Sequence, residues 1–340
     1  LSYNYTIFQG GRPMIYIKNN DNRPQFNLAL EQYVFDSLDE YNEIFLLWIN
    51  EPSIIVGKNQ NTIEEINLDY IKENNINVVR RLSGGGAVYH DYGNLNYTII
   101  SKNNESSAFN FEAFSQPVIE VLAELGIKAE FTGRNDITID GRKFCGNAQY
   151  MKKGKVLHHG AMLFDTDLTV LGDALKVSQD KIASKGVKSV RSRVTNIVDH
   201  LEEKITVEDF KELLLNHMFK DMGIQEYKLT EEDYENINKL MEERYNTWEW
   251  NFGESPEFNI EKSRRYPAGK VETKIDVEDG IIKSMKIYGD FFGGGEISAV
   301  EEKFKGVKYK EDEIRKVLDN IDIEYYFVKI GKEELLDCII

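Results

Sequence analysis

Three consecutive glycines, Gly84, Gly85 and Gly86, stand between Arg80-Arg81-Leu82-Ser83 and Ala87-Val88-Tyr89-His90-Asp91. Glycine loses more backbone freedom on folding than any other residue. Three in a row within ordered chain therefore imply a backbone path closed to other residues or the close approach of a ligand. With Arg80, Arg81 and Ser83 just ahead, the loop offers amide N–H groups and guanidinium forks to phosphate or carboxylate oxygens. It is not a P-loop, because no Lys-Ser or Lys-Thr follows the glycines. Taken alone, the run is also what a flexible hairpin turn with incidental arginines looks like.

Regular structure is predicted on both sides of it. Strands are read at 14–18, 44–49 and 53–56, with a helix over 27–38 carried by Leu28, Leu30, Val34, Phe35 and Leu38 at near-helical spacing. The run Ile44-Phe45-Leu46-Leu47-Trp48-Ile49 is too short and too apolar for a surface helix, which makes it a central strand. A helix around 66–73 leads to Val78-Val79-Arg80-Arg81, and strand resumes over 95–101. Gly126 ends a helix over 114–125, after which 129–131, 137–139, 145–151 and 155–164 alternate like paired strands joined by turns at Gly141 and Gly154. Helices follow over 206–222, where Thr206 and Asp209 form a capping-box pattern, and over 230–245, where Glu231 and Glu232 suit the positive helix start. Beyond 248–258, rich in aromatic, Gly and Pro residues, strands at 269–277 and 281–288 frame a Glu278-Asp279-Gly280 turn ahead of a helix over 311–320. The expected fold is α+β: a large mixed-sheet domain over 14–252 and a small α+β domain over 253–340. Residues 1–13, with Phe8-Gln9-Gly10-Gly11, are set apart as a leader outside the fold.

Composition narrows the function classes. The 340 residues contain 42 Lys and Arg against 58 Asp and Glu, and a net charge of −16 opposes binding to a nucleic-acid backbone. The two cysteines, Cys145 and Cys338, have no metal-ligand spacing and form no framework of bridges, which fits the cytoplasm. No apolar run approaches the roughly 18–20 residues that span a bilayer, so no membrane association is expected.

The string RRLSGGGAVYHD, continuing through Tyr92-Gly93-Asn94-Leu95-Asn96, resembles the lipoate–protein ligase A family. The resemblance continues through GRNDITIDGRKFCGNAQ, HHGAMLFDTDL and KGVKSVRSRVTNI, and reaches Trp248-Glu249-Trp250-Asn251-Phe252-Gly253. Four motifs in family order imply a catalytic domain like those of biotin ligases and lipoyl transferases, followed by an accessory domain. They also imply the activity: lipoate, and octanoate too, is adenylated by ATP with Mg²⁺, and the lipoyl group passes from lipoyl-AMP to an acceptor lysine. The implied acceptors are the lipoyl domains of 2-oxoacid dehydrogenase acyltransferase subunits and the glycine-cleavage H protein.

By the same resemblance, Lys143 lies between the acyl carbonyl and the adenylate phosphate. Arg81, Gly86, Ala87, Val88, Tyr89, Asn135, Asp136, Lys185, Ser189 and Val190 join it around the nucleotide, and Trp48, Ser83, Gly85, Gly86 and His159 lie near the lipoyl group. Asp136 either holds Mg²⁺ or orients Lys143, and the basic loop through Lys185, Lys188, Arg191 and Arg193 closes over the adenylate. The residues agree with this chemistry, because a carboxylate becomes a good acyl donor as a mixed anhydride, and forming one concentrates negative charge that fixed cations and N–H donors stabilise.

The bland readings are a solvated turn for Lys143, pure core for Trp48, a solvated loop for 185–193, and hydrogen-bonded structural roles for His90, His158 and His159. An amidotransferase on the same scaffold would need a cysteine thioester, and Cys145 stands near Lys143, but packing is the preferred role for that thiol. A lipoate-sequestering binding protein would need neither Arg81 nor Lys143, and a biotin ligase would show a GRGRxG-type loop.

Overall fold

A computed structural model of the chain describes residues 14–102, 110–175, 193–220, 223–253, 258–278 and 280–340. Its strands up to the C-terminal region are Ile15–Lys18 (β1), Glu43–Trp48 (β2), Ser53–Val56 (β3), Asn77–Arg80 (β4), Val88–His90 (β5), Asn94–Lys102 (β6), Ala129–Thr132 (β7), Asp136–Ile139 (β8), Arg142–Lys152 (β9), Lys155–Leu163 (β10) and Glu226–Tyr227 (β11). Eight of them form one mixed sheet in the order β11-β1-β2-β6-β10-β9-β8-β7. The pairs β11–β1 and β1–β2 are parallel, and the remaining neighbours are antiparallel.

The unbroken apolar run of β2 is explained by burial on both faces. Phe45 and Leu47 enter a cluster with Phe114, Val118 and Leu122 of helix Phe111–Glu124 and with Phe210 and Leu214 of helix Val207–Met218. Ile44, Leu46 and Trp48 enter another, with Leu28, Leu30, Val34 and Phe35 of helix Pro24–Ser37 and with Ile237 of helix Glu231–Leu240. Successive strand residues point to opposite sides, so a strand between two helical layers has no position left for a polar face. In chain order these helices are α1 (Pro24–Ser37), α2 (Phe111–Glu124), α3 (Val207–Met218) and α4 (Glu231–Leu240). α1 starts at Pro24, earlier than its apolar spacing suggests, with proline in the first turn where its missing N–H removes no bond. Capping boxes, Thr206 with Asp209 and Thr230 with Asp233, start α3 and α4.

A separate three-stranded sheet, β4-β3-β5, carries the glycine loop between β4 and β5. The C-terminal region adds Ile260–Tyr266 (β12), Gly269–Glu278 (β13) and Ile281–Gly289 (β14) as an antiparallel sheet packed against helices including Glu311–Leu318 (α5). Its core, from Ala268 to Ile339, is a cluster of its own. β12 was not expected from sequence: IEKSRRY is a half-exposed edge strand whose charged residues obscure alternation. A short helix, Trp248–Asn251, capped by Thr247, opens the aromatic stretch 248–258. Among the described residues, no helix is long and apolar enough to cross a membrane.

Candidate active site

The two arginines ahead of the glycines hold the loop in place. Arg80 is buried, and its guanidinium donates to the carbonyls of Gly57, Lys58, Gln60, Trp250 and Asn251 and to Thr62 Oγ1, at 2.6–3.3 Å. Arg81 points the other way, donating to the carbonyls of Ile55 (3.0 Å), Gly84 (2.6 Å) and Gly86 (2.9 Å) and to Ser83 Oγ (3.0 Å). Burial pulls both guanidinium pKa values down to about 10, which leaves both charged at neutral pH. Each glycine meets a different need. A Cβ on Gly84 would fall 2.4 Å from the Phe291 carbonyl oxygen of the C-terminal region, Gly85 has a φ of +91°, and a Cβ on Gly86 would meet nothing within 4 Å. Of the three, Gly86 alone has open space on the side where a Cβ would stand.

A cavity of about 790 Å³ is lined by Trp48, Arg81, Gly85, Gly86, Ala87, Val88, Asn135, Asp136, Lys143 and His159, all residues singled out from sequence. Tyr89 faces an adjoining hollow that shares Lys143, Asp136 and Ala87, and Ser83 is buried behind His159. Lys185, Ser189 and Val190, with Lys188 and Arg191, lie outside the described residues. Sequence reasoning did not single out Leu28, Ile55, Asn96 and Asn147, nor Arg134, Arg265 and Asp290, which also line the cavity. Arg81, Arg134, Lys143, Arg193 and Arg265 face it against two carboxylates, Asp136 and Asp290. A chain of net charge −16 thus gathers cations at one place, an arrangement suited to a polyanionic ligand.

A β-bulge aims Lys143. Thr138 pairs with Lys143 while Ile137 pairs with Cys145, so Phe144 is an extra residue opposite the Ile137/Thr138 step. Lys143, Gly146 and Ala148 consequently face the cavity, while Phe144 and Cys145 both enter the core. Lys143 Nζ lies 2.7 Å from Asp136 Oδ1, with each side chain 36% exposed. A Cβ on Gly146 would sit 2.7 Å from that Nζ, so the glycine makes room for the ammonium. The Cys145 thiol is buried, and burial drives its pKa far above the ordinary range, which disfavours the thiolate.

The catalytic-domain model for lipoyl protein ligase A/B matches residues 23–219, and the model for the bacterial lipoate protein ligase C-terminus matches 255–339. The chain is 50% identical over 330 residues to lipoate-protein ligase LplJ of Bacillus subtilis, covering 96% of this chain and all of that one. It belongs to the lipoate–protein ligase family. Among solved structures, it is similar to Plasmodium falciparum LipL1 in complex with lipoate (TM-score 0.77, 26% identity, 91% of this chain and 95% of that one). The bipartite lipoate protein ligase of Thermoplasma acidophilum, described with its E2 lipoyl domain, aligns at TM-score 0.62 and 30% identity over 72% of this chain and 98% of that one. A lipoate-protein ligase A bound with ATP aligns at 0.59 and 28% over 71% and 98%.

Within this family member, the cavity's more apolar side rests on a hydrogen-bonded chain. Trp48 Nε1 donates to Thr98 Oγ1 (2.9 Å), which donates to Glu31; His159 Nδ1 lies 3.1 Å from Glu31 Oε1, and His159 Nε2 lies 2.6 Å from Ser83 Oγ. Arg81 Nε can only donate and an ionised carboxylate can only accept, so with a neutral imidazole the direction is fixed. Ser83 donates to Nε2, and His159 donates its Nδ1–H to Glu31. Glu31 was not singled out from sequence, although a carboxylate among Leu28, Val34 and Phe35 on the buried side of α1 was the available signal. His90 also lines the cavity and accepts from Asn50 Nδ2 (3.1 Å). Its pKa is lowered to about 3 by burial, then by the charge of Arg81 and by the neighbouring His159. His158 is buried against Phe114 and hydrogen-bonded with Gln149, a structural histidine as expected. Among the described residues, no group of three or more His, Cys, Asp or Glu side chains could hold a metal by itself.

The C-terminal region roofs the cationic side. Arg134 donates to the Ala268 carbonyl and stacks over the Phe292 ring at 4.5 Å, while Gly289 N donates to the Asn59 carbonyl (2.7 Å) and Lys58 Nζ pairs with Glu296 (2.8 Å). Burial lowers the Arg134 pKa, opposed by Asp290 and Asp136 and reinforced by Arg265.

Proposed function

We propose that this ligase joins lipoate, or octanoate, to a lysine of lipoyl domains in two steps that share Lys143. In the first, a carboxylate oxygen attacks the α-phosphorus of ATP, the bond to the bridging oxygen breaks, and pyrophosphate leaves. In the second, the acceptor Nζ attacks the acyl carbonyl of lipoyl-AMP, the bond to the phosphate oxygen breaks, AMP leaves, and the amine proton passes to solvent or to a phosphate oxygen.

The observation that carries this reading is the placement of Lys143. Its ammonium, held by Asp136, lines one cavity together with the apolar Trp48, Leu28 and Ile55 and the cationic Arg134, Arg193 and Arg265. A fixed cation there draws two anions together in the first step and polarises the acyl carbonyl in the second, without reorganising as charge develops. Asp136 orients it at 2.7 Å. The apolar side suits an eight-carbon tail, each buried methylene contributing about 0.8 kcal/mol, and such contacts discriminate poorly between lipoate and octanoate. The backbone from Gly85 to Val88 lines the same cavity, which supports its assignment to the nucleotide.

Mg²⁺ would enter with the triphosphate. It binds through one or two carboxylates together with substrate phosphates rather than in an all-protein cage, and Asp136 fits as that single protein ligand. Bound there, the ion would offset phosphate charge. The acceptors proposed are E2-type lipoyl domains, as named for the Thermoplasma ligase, and the glycine-cleavage H protein. Residues 14–252 would form the catalytic domain and 253–340 the accessory domain, a division supported by the separate C-terminal core. The burial of Cys145 weighs against the amidotransferase reading.

Lipoate-dependent exchange of pyrophosphate into ATP tests the first step, and mass spectrometry of a lipoyl domain after incubation with lipoate and ATP tests the second. Acyl transfer from an already acylated domain in the absence of ATP, with no exchange, would overturn the proposal.

A further inference from the structure

The cavity draws one cation from the C-terminal sheet. Arg265 lies on β12 just before the two-residue turn Pro267-Ala268 and faces the space lined by Lys143 and Asp136. Its neighbour Arg264 points away, to Asp337 on the surface (2.9 Å), as strand alternation requires. Arg265 Nη1 lies 3.5 Å from Asp290 Oδ2, a loose contact, and its Nε is buried without a hydrogen-bond partner among the described residues. Asp290 Oδ1 accepts from Lys270 N, which fixes the carboxylate on its own sheet.

Gly269 makes this convergence possible. Its φ is +145°, and a Cβ there would lie 2.9 Å from Arg134 Nη1 and 3.0 Å from Asp290 Oδ1. Arg134 of the catalytic region and the Arg265–Asp290 pair of the C-terminal region therefore meet over the same end of the cavity. An unsatisfied buried N–H is costly unless a ligand accepts from it, and a guanidinium edge offers two parallel donors matched to phosphate oxygens.

We propose that Arg265 is a catalytic residue of the adenylation half-reaction alone: its guanidinium, oriented by Asp290, binds the β- and γ-phosphates of ATP and takes up the charge of the departing pyrophosphate. The inference rests on the ligase reading above. In the first step the bond from the α-phosphorus to the bridging oxygen breaks, and the electron pair stays with pyrophosphate, beside Arg265. In the second step the leaving group is AMP, which has no β- or γ-phosphate, so Arg265 has nothing to stabilise.

The experiment compares Arg265→Ala and Arg265→Lys with the parent in the full-length chain. The readouts are lipoate-dependent ATP–pyrophosphate exchange and single-turnover transfer from synthetic lipoyl-AMP to a lipoyl domain. Exchange by Arg265→Ala is expected to fall about 100-fold, as for loss of one preorganised donor, while transfer stays within about twofold. Arg265→Lys should recover part of the exchange. Unchanged exchange overturns the proposal, and so does an equal fall in both half-reactions, which would mark a structural role. Absence of exchange in the parent would instead overturn the ligase reading, and this inference with it.

Discussion

The two sides of the cavity are built on opposite plans. On the side proposed for the acyl chain, Trp48, Thr98, Glu31, His159, Ser83 and Arg81 answer one another in a chain with one permitted direction. On the side proposed for the phosphates, Lys143, Arg134, Arg193 and Arg265 outnumber the carboxylates Asp136 and Asp290, and the pairing of Arg265 with Asp290 is loose. The first side is bonded mainly within the protein and should govern affinity and stability. The other is proposed to be completed by the nucleotide and should govern rate.

Substitutions can break this division. The largest effect is expected at Lys143→Ala, which should lower both exchange and transfer by about 10²–10³-fold with thermal stability nearly unchanged. Near-parent adenylation by this variant would remove Lys143 from the mechanism. At the other side, Glu31→Gln should raise the KM for lipoate about tenfold while the KM for ATP stays put, and cost about 1–3 kcal/mol in denaturant unfolding because Thr98 and His159 exchange a charged acceptor for a neutral one with a single oxygen. Equal movement of both KM values would erase the distinction between the sides. ¹⁵N NMR of His159 should report protonation at Nδ1 in the parent and loss of that preference in Glu31→Gln.

Smaller effects sharpen the picture. Gly85→Ala, at a φ of +91° and with its Cβ 3.0 Å from Arg81 Nη2, is expected to destabilise by about 1–2 kcal/mol. His90 gives a pH test. Its folded pKa of about 3 lies below an unfolded value near 6.5, so the unfolded chain takes up a proton that the folded one refuses. Stability is unaffected by this group above pH 6.5 and falls as pH drops from there toward about 3, by up to about 1.4 kcal/mol per pH unit. His90→Asn should flatten that slope in urea unfolding, and an unaltered slope would refute the assignment. The smallest effect is expected at Cys145→Ala, with transfer within about twofold of the parent; loss of transfer would revive a thioester route.

Much of this was legible in the sequence, for identifiable reasons. The β2 run announced burial on both faces, Gly126, Gly141 and Gly154 marked real turns with positive φ, and the glycine-loop and Lys143 motifs converge on one cavity. What escaped reading depends on direction or on distant chain. Arg80 and Arg81 are adjacent and alike in sequence, yet one staples the loop to the segment around Asn251 while the other braces the glycines. Arg265 is one charge in a charged edge strand until the fold carries it to the cavity that Lys143 also lines. Glu31 acquires its role only through Thr98 and His159, which lie on strands far along the chain.

The bulge at Phe144 has a further consequence. In a strand of regular period, Lys143 and Cys145 would share a face, and a thiol would stand in the chamber where a mixed anhydride forms. Such a thiol would be a second nucleophile beside the incoming lysine. By turning Cys145 into the core, one extra residue keeps it out of that chamber, so the spacing of this strand matters as much as the identity of its residues.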